Sequence, residues 1–100
     1  MDEIQQLVAE NEIRNLVAQY AQHTDDTRLD EWTALFVEDA RMEAMGQHLE
    51  GRPALTEWIT GVTSSMKLRH IMGGVTVTVD SATEAHGAAD MVLLLSLIHI

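Results

Sequence analysis

The chain has 100 residues, a length that suits one domain, or part of one, and leaves no room for a second. Its 16 acidic side chains against 6 basic ones give a formal charge of −10, which repels nucleic acid and anionic membranes, so neither is an expected partner. Cysteine is absent, which excludes disulfides and thiol chemistry and leaves the redox compartment open.

The opening Met1-Asp2-Glu3-Ile4 is acidic and polar, unlike a signal peptide, and the apolar run from Met91 to Leu95 is far too short to span a bilayer. A cytoplasmic protein is expected. From Asp2 to about Thr24, apolar residues fall at Ile4, Leu7 and Val8, then at Ile13, Leu16, Val17, Tyr20 and Ala21. This is a helical stripe with one slip near Asn11, where a bend or two abutting helices are both open. Thr24 to Arg28 is a polar turn. Asp30 or the residue before it caps a short second helix, with Trp32, Leu35 and Phe36 on one core-facing side.

Ala40 to Met45 alternates as a half-buried strand, Gly46-Gln47 is the expected turn, and His48 to Glu50 is a brief second strand. Gly51 and Pro53 open a third helix, whose Leu55, Trp58, Ile59 and Val62 are expected to press against a sheet. Lys67 to Val79 reads as a long strand with a bulge or bend at Gly73-Gly74. Asp80 to Thr83 is a hairpin turn, and Glu84 to about Ile98 is the returning strand. Helices first and long strands last argue for an α+β fold, with helices on one face of a curved antiparallel sheet. A strand as apolar as Met91-Val92-Leu93-Leu94-Leu95 calls for cover and for neighbours on its edges. A homo-oligomer that completes its sheet across the interface is the expected state.

Four segments together resemble the SnoaL-like branch of the nuclear transport factor two-like superfamily. They are Glu12 to Tyr20 (EIRNLVAQY), Asp25 to Ala40 (DDTRLDEWTALFVEDA), Leu49 to Leu55 (LEGRPAL) and Arg69 to Gly74 (RHIMGG). The resemblance implies a single domain over residues 1–100. It also implies a cone-shaped antiparallel or mixed sheet around three helices, a pocket between them, and frequent dimers. Two further strands would normally follow Leu95, so the chain reads as incomplete at its C-terminal end.

The same resemblance marks Asp25, five residues after Tyr20, as a general base or the orienting partner of one. The bland alternative is a carboxylate that caps or solvates the turn. Asp25 is in either case expected to contribute little to stability, so that Asp25→Asn leaves the fold intact. His70 is the second candidate. Its surroundings are very similar to those of the catalytic histidine in the scytalone dehydratase branch, and an imidazole can both take and return a proton. A histidine bonded to backbone at the sheet edge is the alternative. The phenolic relay positions of that branch fall on Thr24 and Ala44, and its second pocket histidine near Leu95, so dehydration by that mechanism is not expected.

An Asp25–His70 dyad needs no metal and no cofactor. Its small-molecule ligand would be mostly apolar with one or two oxygens, in a pocket lined by Met42, Trp58, Met72 and Met91. Tyr20, Thr24 and His48 are the nearby donors. His23, His48, His86 and His99 show no metal-ligand spacing. The resulting expectation is a cofactor-free lyase, isomerase or cyclase; the alternative is a non-catalytic binding or dimerising accessory domain.

Overall fold

The computed structural model describes residues 1–97. Three helices and four strands follow one another as α1 (Glu3–Asp25), α2 (Leu29–Ala34), β1 (Arg41–Ala44), β2 (Gln47–Glu50), α3 (Arg52–Ser65), β3 (Met66–Val79) and β4 (Ala85–Leu97). The α+β class, with helices ahead of antiparallel strands, is as expected. Ile98, the expected last residue of the returning strand, lies outside the described residues.

The slip near Asn11 does not break α1, which is one helix of 23 residues. Its start is set by a capping box. The Asp2 carboxylate accepts from the Gln5 N–H at 2.7 Å, and the Gln5 side chain accepts from the Asp2 N–H at 3.0 Å. At 3.6 residues per turn, Ile4, Leu7 and Val8 lie on roughly the opposite face from Ile13, Val17 and Tyr20. The first group is exposed, and only the second turns inward.

Helix α2 begins at Leu29, with Arg28 at the capping position and no side-chain cap, so Asp30 belongs to its first turn and does not precede it. That carboxylate favours the positive end of the helix dipole from within. Trp32, Leu55 and Ile59 form the fully buried core, with Tyr20, Leu29, Phe36, Met42, Leu49 and Trp58 packed around them. The Arg52 Nε–H donates to the Phe36 carbonyl at 2.7 Å, and the Thr33 and Thr56 hydroxyls meet at 3.1 Å, which ties α2 to α3.

Among the described residues the strands form two hairpins, β1–β2 and β3–β4, that share no ladder. Ala44 pairs with Gln47, so the first turn is Met45-Gly46, one residue earlier than the sequence suggests. Both turn residues have positive φ (51° and 77°), the two-residue geometry that matches strand twist. In the long hairpin, Gly73 pairs with Asp90 and Thr76 with Ala88, so Gly74 and Val75 together oppose Ala89. Gly74 sits at φ 53°, and a Cβ there would lie 2.8 Å from the Asp90 carboxylate. This is the expected bulge, and glycine is what permits it. Helix α1 packs against β3, and its last residue, Asp25, meets the fifth residue of the strand, His70.

Candidate active site

Asp25 is the last residue of α1, and His70 is the fifth of β3. Although 45 positions apart, they are joined by two hydrogen bonds. The His70 backbone N–H donates to Asp25 Oδ2 at 2.8 Å, and His70 Nδ1 lies 2.6 Å from Asp25 Oδ1. The side chains are 6% and 4% exposed, so neither solvates a turn. The expectation that Asp25 contributes little to stability is therefore corrected: both carboxylate oxygens are spent on buried contacts between α1 and β3.

This geometry sets the roles within the pair. A backbone N–H can only donate, which makes Oδ2 an acceptor, and the short contact at Oδ1 assigns a proton to Nδ1. Neutral imidazole then carries its lone pair on Nε2, the ring atom left for other partners. Of the two roles open to Asp25, the arrangement fits the orienting partner. The Tyr20 ring stands edge-on to the imidazole, with centroids 6.0 Å apart at 82°, and braces it from the helix side.

His70 lines a cavity of about 420 Å³ together with Tyr20, Thr24, Met42, Trp58 and Met91. Five of the six residues expected to bind ligand are thus brought to one place. Met72 is the exception: half-buried two residues beyond His70, it is not part of the lining. The wall also includes Leu68, Leu93, Val62 and Glu43, none of which was expected to line a pocket. The alternation of β3 held a signal for Leu68, since it shares the His70 face. Leu93 is legible only once it is known to pair with His70 across the hairpin.

Two polar groups in the wall have defined surroundings. Burial pushes the Tyr20 phenol pKa above its ordinary value, so it stays a neutral donor. The Thr24 hydroxyl donates to the Tyr20 carbonyl at 2.7 Å, which leaves it as an acceptor toward the cavity. Trp58 and Val62 are half-buried beside this space, Leu55 fills the core, and the buried Ile59 belongs to both core and wall. The single core face expected for α3 is thus divided between packing and pocket wall.

The other histidines lie elsewhere. His48 is an exposed strand residue between Glu50 (3.0 Å) and Glu43 (3.4 Å), and those two carboxylates, Glu50 foremost, raise its pKa. His48 does not reach the dyad cavity as a donor. His86 pairs with Asp80 at 2.8 Å at the far hairpin turn, His23 lies 3.8 Å from Glu31, and His99 lies outside the described residues. No helix among the described residues is long and apolar enough to cross a membrane.

The family model of the SnoaL-like domain matches residues 5–97. No curated protein matches. A crystal structure from Novosphingobium aromaticivorans, named for scytalone dehydratase, superposes with a TM-score of 0.88 at 23% identity, over 99% of this chain and 68% of that one. The hexachlorocyclohexane dehydrochlorinase LinA-type3 from Novosphingobium barchaimii gives 0.86 at 16% identity, over 97% and 68%. A protein of unknown function from Mycobacterium tuberculosis gives 0.75 at 28% identity, over 81% of this chain and 50% of its own. This chain thus spans between half and about two thirds of the length of these structures.

Proposed function

Because the chain belongs to the SnoaL-like domain family, we propose that it is an acid/base enzyme of the lyase, isomerase or cyclase kind, acting on a small, mostly apolar, oxygenated molecule. The observation that carries this reading is the buried Asp25–His70 pair at the wall of an apolar cavity. His70 Nε2 takes a proton from a substrate carbon. The electron pair released moves into a new C=C bond. It either expels a leaving group, to which the imidazolium gives up its proton, or shifts an existing double bond, in which case the imidazolium returns the proton at the far carbon. Asp25 is the positioning residue: it holds the tautomer and faces the imidazolium that forms. Tyr20, kept neutral, is the donor available to an oxygen that gains charge. The dyad asks for no cofactor in these steps. Neighbours named for a dehydratase and a dehydrochlorinase support an elimination among the alternatives.

The elementary step can be tested without the natural substrate. Parent protein and His70→Gln are incubated with 2-tetralone in D₂O, and exchange of the C–H beside the carbonyl is followed by NMR. Exchange above the buffer rate in the parent, lost in the variant, is the expected result. Equal rates in the two proteins would sink the proposal. One observation favours the second reading, a binding domain without catalysis: Thr24 spends its proton on the Tyr20 carbonyl, so the cavity is poor in free donors. Tight binding with no exchange would select that reading.

A further inference from the structure

The dyad cavity has a neighbour. A groove of about 560 Å³ runs between α3 and the β1–β2 hairpin, and it shares Met45, Trp58 and Val62 with the wall of the dyad cavity. Trp58 and Val62 are four residues apart and so stand on one face of α3. Met45 faces the same two spaces from the hairpin turn.

Of these three, the indole is the group able to act as a wall. Met45 is 57% exposed and is an unbranched, flexible side chain. Val62 is short. Trp58 is half-buried and packs against Trp32 with ring centroids 6.5 Å apart at 40°, and Trp32 is itself fully buried. The surroundings also change across the indole. On the His70 side the wall is mostly apolar, whereas the groove beyond presents Gln47, Glu57 and Ser65.

We propose that Trp58 is a specificity-determining residue: its indole closes the dyad cavity at the α3 side and limits the length of the molecule that fits. With the indole in place, an occupant whose oxygen lies at His70 cannot continue along α3 into the groove, and the space it has on that side is near the lower limit of ordinary ligand sites. With the indole removed, the two spaces join, and an apolar body can pass along α3 so that its tail enters the groove. The inference rests on the reading above in one respect, that the occupant is apolar with an oxygen at the dyad. It does not depend on turnover.

The test is calorimetric binding of 4-ethylphenol and 4-hexylphenol, neither of which needs to react, to the parent, Trp58→Ala and Trp58→Leu. The parent is expected to bind the short phenol at least tenfold more tightly than the long one. Both variants are expected to bring the two affinities level or to reverse their order. Trp58→Leu keeps an apolar side chain on the helix, so it decides the matter if the alanine variant does not fold. A parent that already binds 4-hexylphenol as tightly as 4-ethylphenol overturns the partition, as do variants that keep the parent's ratio. Both of those outcomes leave the acid/base reading standing. Absence of binding of either phenol to all three proteins removes the shared premise of an apolar ligand, and the partition with it. Failure of 2-tetralone exchange alone leaves the partition untouched.

Discussion

Replacing Asp25 by asparagine and by alanine separates its hold on the fold from its hold on the tautomer. In Asp25→Asn the amide oxygen can still accept from the His70 backbone N–H, where Oδ2 now sits at 2.8 Å. The amide NH₂ then faces Nδ1, where Oδ1 sits at 2.6 Å, and can only donate to it. Both contacts survive if the imidazole moves its proton to Nε2. Charge-assisted bonds become neutral ones of about half the strength, so the cost is about 1–3 kcal/mol. The lone pair meanwhile leaves Nε2, and any proton abstraction by that atom is lost.

Alanine satisfies neither donor, and two buried N–H groups are left unpaired. The cost is about 2–5 kcal/mol, larger than for asparagine at the same position. Denaturant melts give the two stabilities, and ¹⁵N shifts of the His70 ring give the tautomer. The expected pattern is a Nδ1–H ring in the parent and a Nε2–H ring in a folded Asp25→Asn. An unchanged tautomer in Asp25→Asn would refute the reasoning about the pair. So would a cost below 1 kcal/mol for alanine, which would place Asp25 in solvent.

Three further outcomes are expected. Trp32→Ala should cost about 3–5 kcal/mol as a fully buried aromatic, and Trp58→Ala clearly less, since one side of that ring borders a cavity; equal denaturant midpoints would show that the two rings are packed alike. His48 should titrate above its ordinary value near 6.5, and Glu50→Gln should lower it; because the folded value is the raised one, any stabilisation is complete below the unfolded pKa and is lost as pH rises through the folded one, as an NMR titration would report. The exposed apolar side chains Ile71, Val92, Leu94 and Leu95 on β3 and β4 are expected to make the chain self-associate, and light scattering that finds a cooperatively unfolding monomer at micromolar concentration would exclude this.

Local chemistry was enough to read much of the chain. The bulge at Gly73-Gly74 and the burial of Trp32 follow from residue type and spacing, and so do the two long hairpin strands, although β3 starts one residue before the expected Lys67 and β4 one residue after the expected Glu84. Asp25 and His70 stood out as candidates through likeness to a family, but nothing near either residue shows that they touch. Their meeting depends on how α1 lies against β3, which places the end of the helix against the fifth residue of the strand. The same long-range packing gives Leu93 to the cavity and withholds Met72, and it divides the apolar face of α3 between core and pocket wall. Periodicity tells which side chains leave water, because that depends on the helix or strand alone. What they meet after leaving it depends on how separate elements cross, and a tertiary contact over 45 positions leaves no local trace in the sequence.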